Sequence, residues 1–236
     1  MITMKDVTKT YEMGEEVVTA LDNISLTVEE GEFTSIMGPS GSGKSTIMNI
    51  LGLLDKFNSG SYTLNDINVT EHDDEELANI RNKEIGFVFQ SFNLLPRMNL
   101  LENVMLPLVY AKVPKKERQK RAKEALERVG LGNRLYHKTN EISGGQTQRV
   151  AIARAIVNNP SVLMADEPTG NLDSKTTKQI MRIFQELNEE GTTIIMVTHE
   201  PEMAQYTKRI VHVRDGQIEK DEQITPKSLK DEEDDA

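Results

Sequence analysis

FTSIMGPSGSGKST, residues 33–46, is the stretch on which the fold turns. Phe33–Met37 is a mostly apolar run of β-forming character. Gly38-Pro39-Ser40-Gly41-Ser42-Gly43-Lys44-Ser45 then matches G-x-x-x-x-G-K-[ST] in full, and the helix-compatible run Thr46–Leu54 follows. A strand before and a helix after are the context this pattern needs; a glycine- and serine-rich connector would not require the complete match. Glycines at 38, 41 and 43 let the backbone bend until successive N–H groups face one anionic concavity, to which the helix adds its positive end. In such a loop Lys44 reaches the β and γ phosphates of a nucleotide, and the Ser45 hydroxyl ligates Mg²⁺, an ion that takes few protein ligands and keeps several waters. Residues 38–46, through Thr46, are thus the expected phosphate cradle.

On either side, short β-rich runs recur at Ile85–Phe89, Ser161–Ala165 and Thr193–Val197, with helix-compatible segments between them. The alternation predicts an α/β fold, a phosphate-loop nucleotide-binding core with a mostly parallel sheet covered by helices. Ile2 to Val28 alternates apolar and polar residues in two runs around Met13-Gly14, which predicts an N-terminal antiparallel β part. Asp215-Gly216, between Arg209–Val213 and Gln217–Lys220, predicts a terminal hairpin. From about Ser91 to Asn159 strand signals stop, and Ala122, Ala125, Leu126 and Val129 recur at helical spacing behind Pro114. Residues 91–159 are therefore expected to form a helical insert in one domain, 1–220, whose core takes residues 1–90 and 160–220. From Asp221 the chain holds seven acids against Lys227 and Lys230, and beyond Pro226 it reads as a solvated, disordered acidic tail.

Composition narrows the classes. With 37% hydrophobic and 28% charged residues, the 236-residue chain falls among soluble globular proteins. Its formal net charge of −10 argues against nucleic acid as the main partner. No cysteine is present, which excludes disulfides, thiolate metal sites and cysteine nucleophiles. No apolar run approaches the ~20 residues of a spanning helix. The opening MITMKDVTK lacks a basic flank, an apolar stretch and a small-residue cleavage site, so a cytoplasmic location is expected.

Val162-Leu-Met-Ala-Asp166-Glu167 is an apolar strand that ends in two adjacent acids at the carboxyl edge of the expected sheet. Alone, such a pair is more often a solvated turn or a helix cap. Beside a complete phosphate loop, Asp166 fits a Mg²⁺ partner through water, and Glu167 fits the base that positions and polarises an attacking water. Ile142-Ser143-Gly144-Gly145-Gln146 begins another helix, running through Val150-Ala-Ile-Ala-Arg154. Its Ser143 hydroxyl and the amides of Gly144 and Gly145 make a second anion site, although a lone SGGQ also suits an ordinary N-cap.

These two glycine-rich helix starts in one chain resemble the ABC ATPase family, whose signature is LSGGQ; Ile142 stands here in place of Leu. The resemblance covers essentially residues 1–220. It implies that Ser143, Gly144, Gly145 and Gln146 complete the nucleotide site of an opposite copy in a head-to-tail homodimer. It also makes Gln90, after Ile85–Phe89, the Q-loop residue that senses Mg²⁺ and water and faces the membrane subunit. Asp173 of Gly170-Asn-Leu-Asp173 falls in the D-loop linking the two sites, His199 matches the histidine that contacts the γ-phosphate, and Tyr11 falls where an aromatic stacks on adenine. From the residues alone, Tyr11 also suits a packing residue in an edge strand, and His199 a hydrogen-bonded histidine at a strand end.

Asp166-Glu-Pro-Thr-Gly-Asn-Leu-Asp173 and the apolar stretch 93–107 resemble the branch of macrolide-exporter and lipoprotein-releasing ATPases, the MacB and LolD type. Antimicrobial-peptide resistance ATPases are similar too. The resemblance implies an ATPase subunit, with ATP and Mg²⁺ as ligands, that drives a separate integral membrane permease from the inner face of the membrane. The rival reading is a soluble ABC ATPase of DNA repair or chromosome organisation. Those carry long coiled coils between their halves, for which the interval from Gln90 to Ile142 is far too short.

Overall fold

Ile2–Met13 and Glu16–Val28 pair antiparallel as β1 and β2, with Ile2, Met4 and Val7 of one and Leu21, Ile24, Leu26 and Val28 of the other buried on one side across register shifts that begin at Met4. The structure, a computed structural model, describes residues 1–14 and 16–229. Next come β3 (Phe33–Met37) and α1 (Lys44–Leu51). Strand β4 (Ser59–Leu64) then returns to pair antiparallel with β1, and the short β5 (Ile67–Asn68) closes the order β2-β1-β4-β5. Neither β4 nor β5 was expected from the sequence. The first three positions of β4 are exposed, so its run shows no alternation to read.

Helix α2 (Asp74–Glu84) leads into β6 (Ile85–Phe89). The insert follows, as α3 (Leu100–Tyr110), α4 (Lys115–Arg128) and α5 (Gly144–Ile156), and no strand interrupts it. Then come β7 (Val162–Asp166), α6 (Ser174–Glu189), β8 (Thr193–Thr198), α7 (Pro201–Ala204), β9 (Arg209–Arg214) and β10 (Gln217–Gln223). The larger sheet has the order β10-β9-β3-β8-β7-β6 and is parallel except for the terminal hairpin strand β10.

Strand alternation sorts this sheet into two cores. Leu163, Ala165, Ile194 and Met196 pack on the side of α3, α4, α5 and α6. Their neighbours Val162, Met164, Ile195 and Val197 pack on the other side, against α1, α2 and the small antiparallel sheet. Every residue of β8 is buried, which is why the central strands read as continuous apolar runs. Among the described residues, no helix is long and apolar enough to cross a membrane.

One boundary needs correction. The acidic tail was expected from Asp221, yet β10 extends to Gln223 because Asp221 pairs with Arg209 at 2.6 Å across the hairpin. Residues 224–229 then strap the surface of α6: Lys227 N donates to Gln205 O, Gln185 Nε2 donates to Lys227 O at 2.8 Å, and Arg182 holds the Leu229 carbonyl. Leu229 is 1% exposed in the core beneath. Burial of one large apolar side chain offsets the local charge there, and residues 230–236 lie outside the described residues. Leu229→Ala is expected to cost about 2–3 kcal/mol and to lower the melting midpoint by roughly 4–12 °C in calorimetry. An unchanged midpoint would show that the strap contributes nothing to stability.

Candidate nucleotide-hydrolysis site

Strand register assembles the site. Phe89 of β6 pairs with Asp166 of β7, Asp166 with Val197 of β8, and Thr198 of β8 with Met37 of β3. The next residues along these parallel strands, Gln90, Glu167, His199 and Gly38, therefore leave the carboxyl edge side by side.

The phosphate loop enters α1 through Gly43, whose φ of +107° suits glycine alone; a Cβ there would also lie 2.7 Å from the Ala20 carbonyl oxygen. No side chain caps α1 and no acid lies in its first turn, whereas α2, α3 and α6 are capped by Asp73, Asn99 and Asp173. The first-turn amides of α1 are thus left for an external anion. Lys44 is buried and donates from Nζ to the Pro39 carbonyl at 2.7 Å; among the described residues no carboxylate pairs with it. Two of its protons remain for a ligand. The Ser42 hydroxyl is buried without a hydrogen-bond partner among the described residues, while Pro39, Ser40, Gly41 and Ser45 are exposed at the lip, with Thr46 half-buried behind them. This donor set fits a nucleotide triphosphate.

Asp166 and Glu167 end β7 facing this loop. Burial raises the Asp166 carboxyl above its ordinary range, the Glu167 charge raises it further, and Lys44 opposes both. Glu167 sits at φ 46°, and its amide donates to the Val197 carbonyl at 2.9 Å. Its Oε1 lies 2.7 Å from His199 Nδ1, and Oε2 is buried with no hydrogen-bond partner among the described residues. Hydrogen bonding to Glu167, then its charge, raises the imidazole above its usual range. Glu200 was passed over in the sequence, although it follows His199 directly. Its carboxylate joins Glu167 and His199 with ligand atoms within 4.8 Å of one another.

Gln90 lies half-buried beside the D-loop, its carbonyl accepting from Asn171 Nδ2 at 3.3 Å. Asp173 caps α6 through Thr176 N at 2.9 Å and Thr176 Oγ1 at 2.7 Å, and these bonds lower its carboxyl. Ser143 caps α5 in the same manner: its Oγ accepts from Gln146 N at 3.3 Å, and Gln146 Oε1 accepts from Ser143 N. The Ser143 proton stays free for another acceptor. Gly145 touches α6 so closely that a Cβ would lie 2.2 Å from Thr176 Cγ2. No hydrogen bond between described residues joins 143–146 to 38–46, so within one chain the second helix start stands apart from the first. Tyr11, on β1 opposite Val18, is 37% exposed, and its hydroxyl donates to Asp55 Oδ2 at 2.7 Å. Arg154 of α5 also escaped sequence reading: it donates to the carbonyls of Phe92 and Asn93 at 2.8 and 2.5 Å, a role that apolar periodicity does not signal.

A parallel sheet that delivers an uncapped glycine loop, a buried lysine and an unsatisfied glutamate to one edge defines the class of phosphate-loop nucleotide hydrolases. The family comparison is more specific: the ABC transporter family model matches residues 21–170. The chain is 58% identical over 218 residues to YknY, an uncharacterized ABC transporter ATP-binding protein of Bacillus subtilis (strain 168), covering 92% of this chain and 95% of that one. It is 53% identical to the macrolide export ATP-binding/permease protein MacB of Bdellovibrio bacteriovorus, covering 95% of this chain and 34% of the relative, so it spans about a third of that protein's length. Among solved structures it superposes with a TM-score of 0.87 at 49% identity on the ATP-binding cassette MJ0796 of Methanocaldococcus jannaschii, described as a dimeric post-hydrolysis state bound to ADP and Pi; 96% of this chain and all of that one are covered. The chain belongs to the ABC transporter family, as an ATP-binding and ATP-hydrolysing subunit of the transport type rather than the soluble repair type.

Proposed function

We propose that two copies of this chain close head to tail around two MgATP, each site being built from the phosphate loop of one copy and the α5 start of the other. One observation carries this reading: the chain has two helix starts suited to phosphate, and they do not meet within it. In the reading, the amides of residues 38–46 and the Lys44 ammonium bind the β and γ phosphates. Mg²⁺ would be held by Ser45, Gln90 and Asp166, where it offsets phosphate charge. Glu167 Oε2, the buried acceptor without a partner, takes the proton of a water whose oxygen attacks the γ-phosphorus as the bond to ADP breaks. His199 is held at Nδ1 by Glu167 and presents Nε2 to the γ-phosphate. Ser143 and Gly145 of the opposite copy donate to that phosphate, and Asp173 lies between the two sites.

Two acidic subunits repel each other. Exposed charges more than about 8 Å apart are nevertheless screened at physiological ionic strength, so short-range bonds to the triphosphate decide closure. Closure requires nucleotide, and hydrolysis loosens it. The MacB relatives are ATP-binding/permease proteins, and this chain matches about a third of the length of one of them. In this reading, which rests on the likeness to the exporter branch, its membrane partner is a separate permease of the exporter or mechanotransmission type, with this subunit on the inner face of the membrane. A mixing experiment tests the composite site. Lys44→Ala and Ser143→Arg are each expected to be inactive alone, while an equimolar mixture regains ATPase activity through heterodimers with one intact site. A mixture no more active than its components would overturn head-to-tail sharing.

A further inference from the structure

We propose that Asp55, in the loop after α1, is a positioning residue for the nucleobase: it fixes the Tyr11 ring so that one face is covered by Lys9 and the other is left for the base. The inference rests on the reading of Tyr11 as the base-stacking residue. Three contacts make the arrangement. The Tyr11 hydroxyl donates to Asp55 Oδ2 at 2.7 Å, Lys9 Nζ donates to Asp55 Oδ1 at 2.8 Å, and the same Nζ lies 4.7 Å from the Tyr11 ring centroid. Lys9 Nζ is fixed further by the Lys56 carbonyl at 2.6 Å, and its side chain is only 12% exposed. An ammonium over one face of an aromatic ring is attracted to its π cloud, and it excludes a second flat group from that face.

The carboxylate therefore does two things. It anchors the phenol at its far end, which removes ring rotation that a base would otherwise have to arrest, and it neutralises the ammonium that roofs the ring. Burial pushes the Asp55 carboxyl up, but the bonds from Lys9 and Tyr11 outweigh it and hold the group below its ordinary range. Among the described residues, no hydrogen bond joins the Asp55 carboxylate to the phosphate loop or to the acid pair. Its effect is confined to the base end of a nucleotide.

The experiment compares Asp55→Ala, Tyr11→Ala and the double variant, reading the KM for ATP, kcat and the inhibition constant of inorganic tripolyphosphate, which has no base. Base stacking on an aromatic is worth enough that Tyr11→Ala is expected to raise the KM about tenfold or more. Asp55→Ala is expected to raise it about three- to tenfold with little change in kcat. Tripolyphosphate inhibition stays as in the parent, and the double variant is no worse than Tyr11→Ala. Asp55→Asn, which keeps the volume, replaces the alanine variant if that one does not fold, with a smaller rise in KM. If Tyr11→Ala raises the KM and Asp55→Ala does not, or if Asp55→Ala weakens tripolyphosphate equally, the positioning role is overturned while the stacking reading stands. If Tyr11→Ala itself leaves the KM unchanged, the stacking reading fails and the positioning role with it.

Discussion

Glu167→Gln is expected to slow ATP turnover by about 10²–10⁴-fold while ATP stays bound, so that a nucleotide-loaded dimer accumulates on gel filtration. The substitution is nearly isosteric. It removes the charge that makes Oε2 a proton acceptor and leaves the backbone anchor untouched, the bond from Glu167 N to the Val197 carbonyl. The bond to His199 at 2.7 Å survives in a weaker, neutral form, so the imidazole keeps its place but loses the neighbour that raises its pKa. Binding and hydrolysis are thereby separated: the triphosphate still bridges two helix starts, and the step that loosens the bridge is gone. A variant that hydrolyses ATP at the parent rate would show that Glu167 is not the base.

Lys44→Ala has the opposite signature, a loss at the binding step. The ammonium is buried at the start of α1 and, among the described residues, has the Pro39 carbonyl as its one hydrogen-bond partner, so two protons remain for phosphate oxygens. Charge-assisted hydrogen bonds of this kind contribute about 1.5–3 kcal/mol each, and two of them correspond to a weakening of MgATP by roughly 10²-fold or more. Calorimetric titration with MgATP measures it directly. Folding is expected to survive, because α1 is held by Ile47, Met48, Ile50 and Leu51 beneath the sheet. Unchanged affinity in a folded variant would overturn the assignment of residues 38–46 to phosphate.

The elements that carry the candidate site were legible in the sequence, and the reason is local. The glycine-rich run at 38–45 and the acid pair after β7 work through backbone geometry and strand ends, which neighbouring residues dictate. The glycine pair at 144–145 was legible in the same way as a helix start. Its ordinary N-cap reading is also realised, since Ser143 and Gln146 form a reciprocal cap. Strands β4 and β5 stayed hidden because half-exposed, partly polar strands show no period. The tail was placed too early because a count of charges does not register one leucine entering a distant core.

By itself the sequence determined the phosphate loop, the apolar strands of the parallel sheet and the start of α5: period, caps and turn chemistry act over a few residues, and each carries its own signal. Tertiary structure alone decided which ends meet. The register of β6, β7, β8 and β3 sets Gln90, Glu167, His199 and Gly38 in a row although they come from four separate stretches of chain. It likewise placed Asp55 on Tyr11, 44 residues away in sequence, and kept the α5 start away from the phosphate loop. Such pairings depend on how side chains fill the two faces of one sheet, a property of the packed whole that no short stretch of chain encodes.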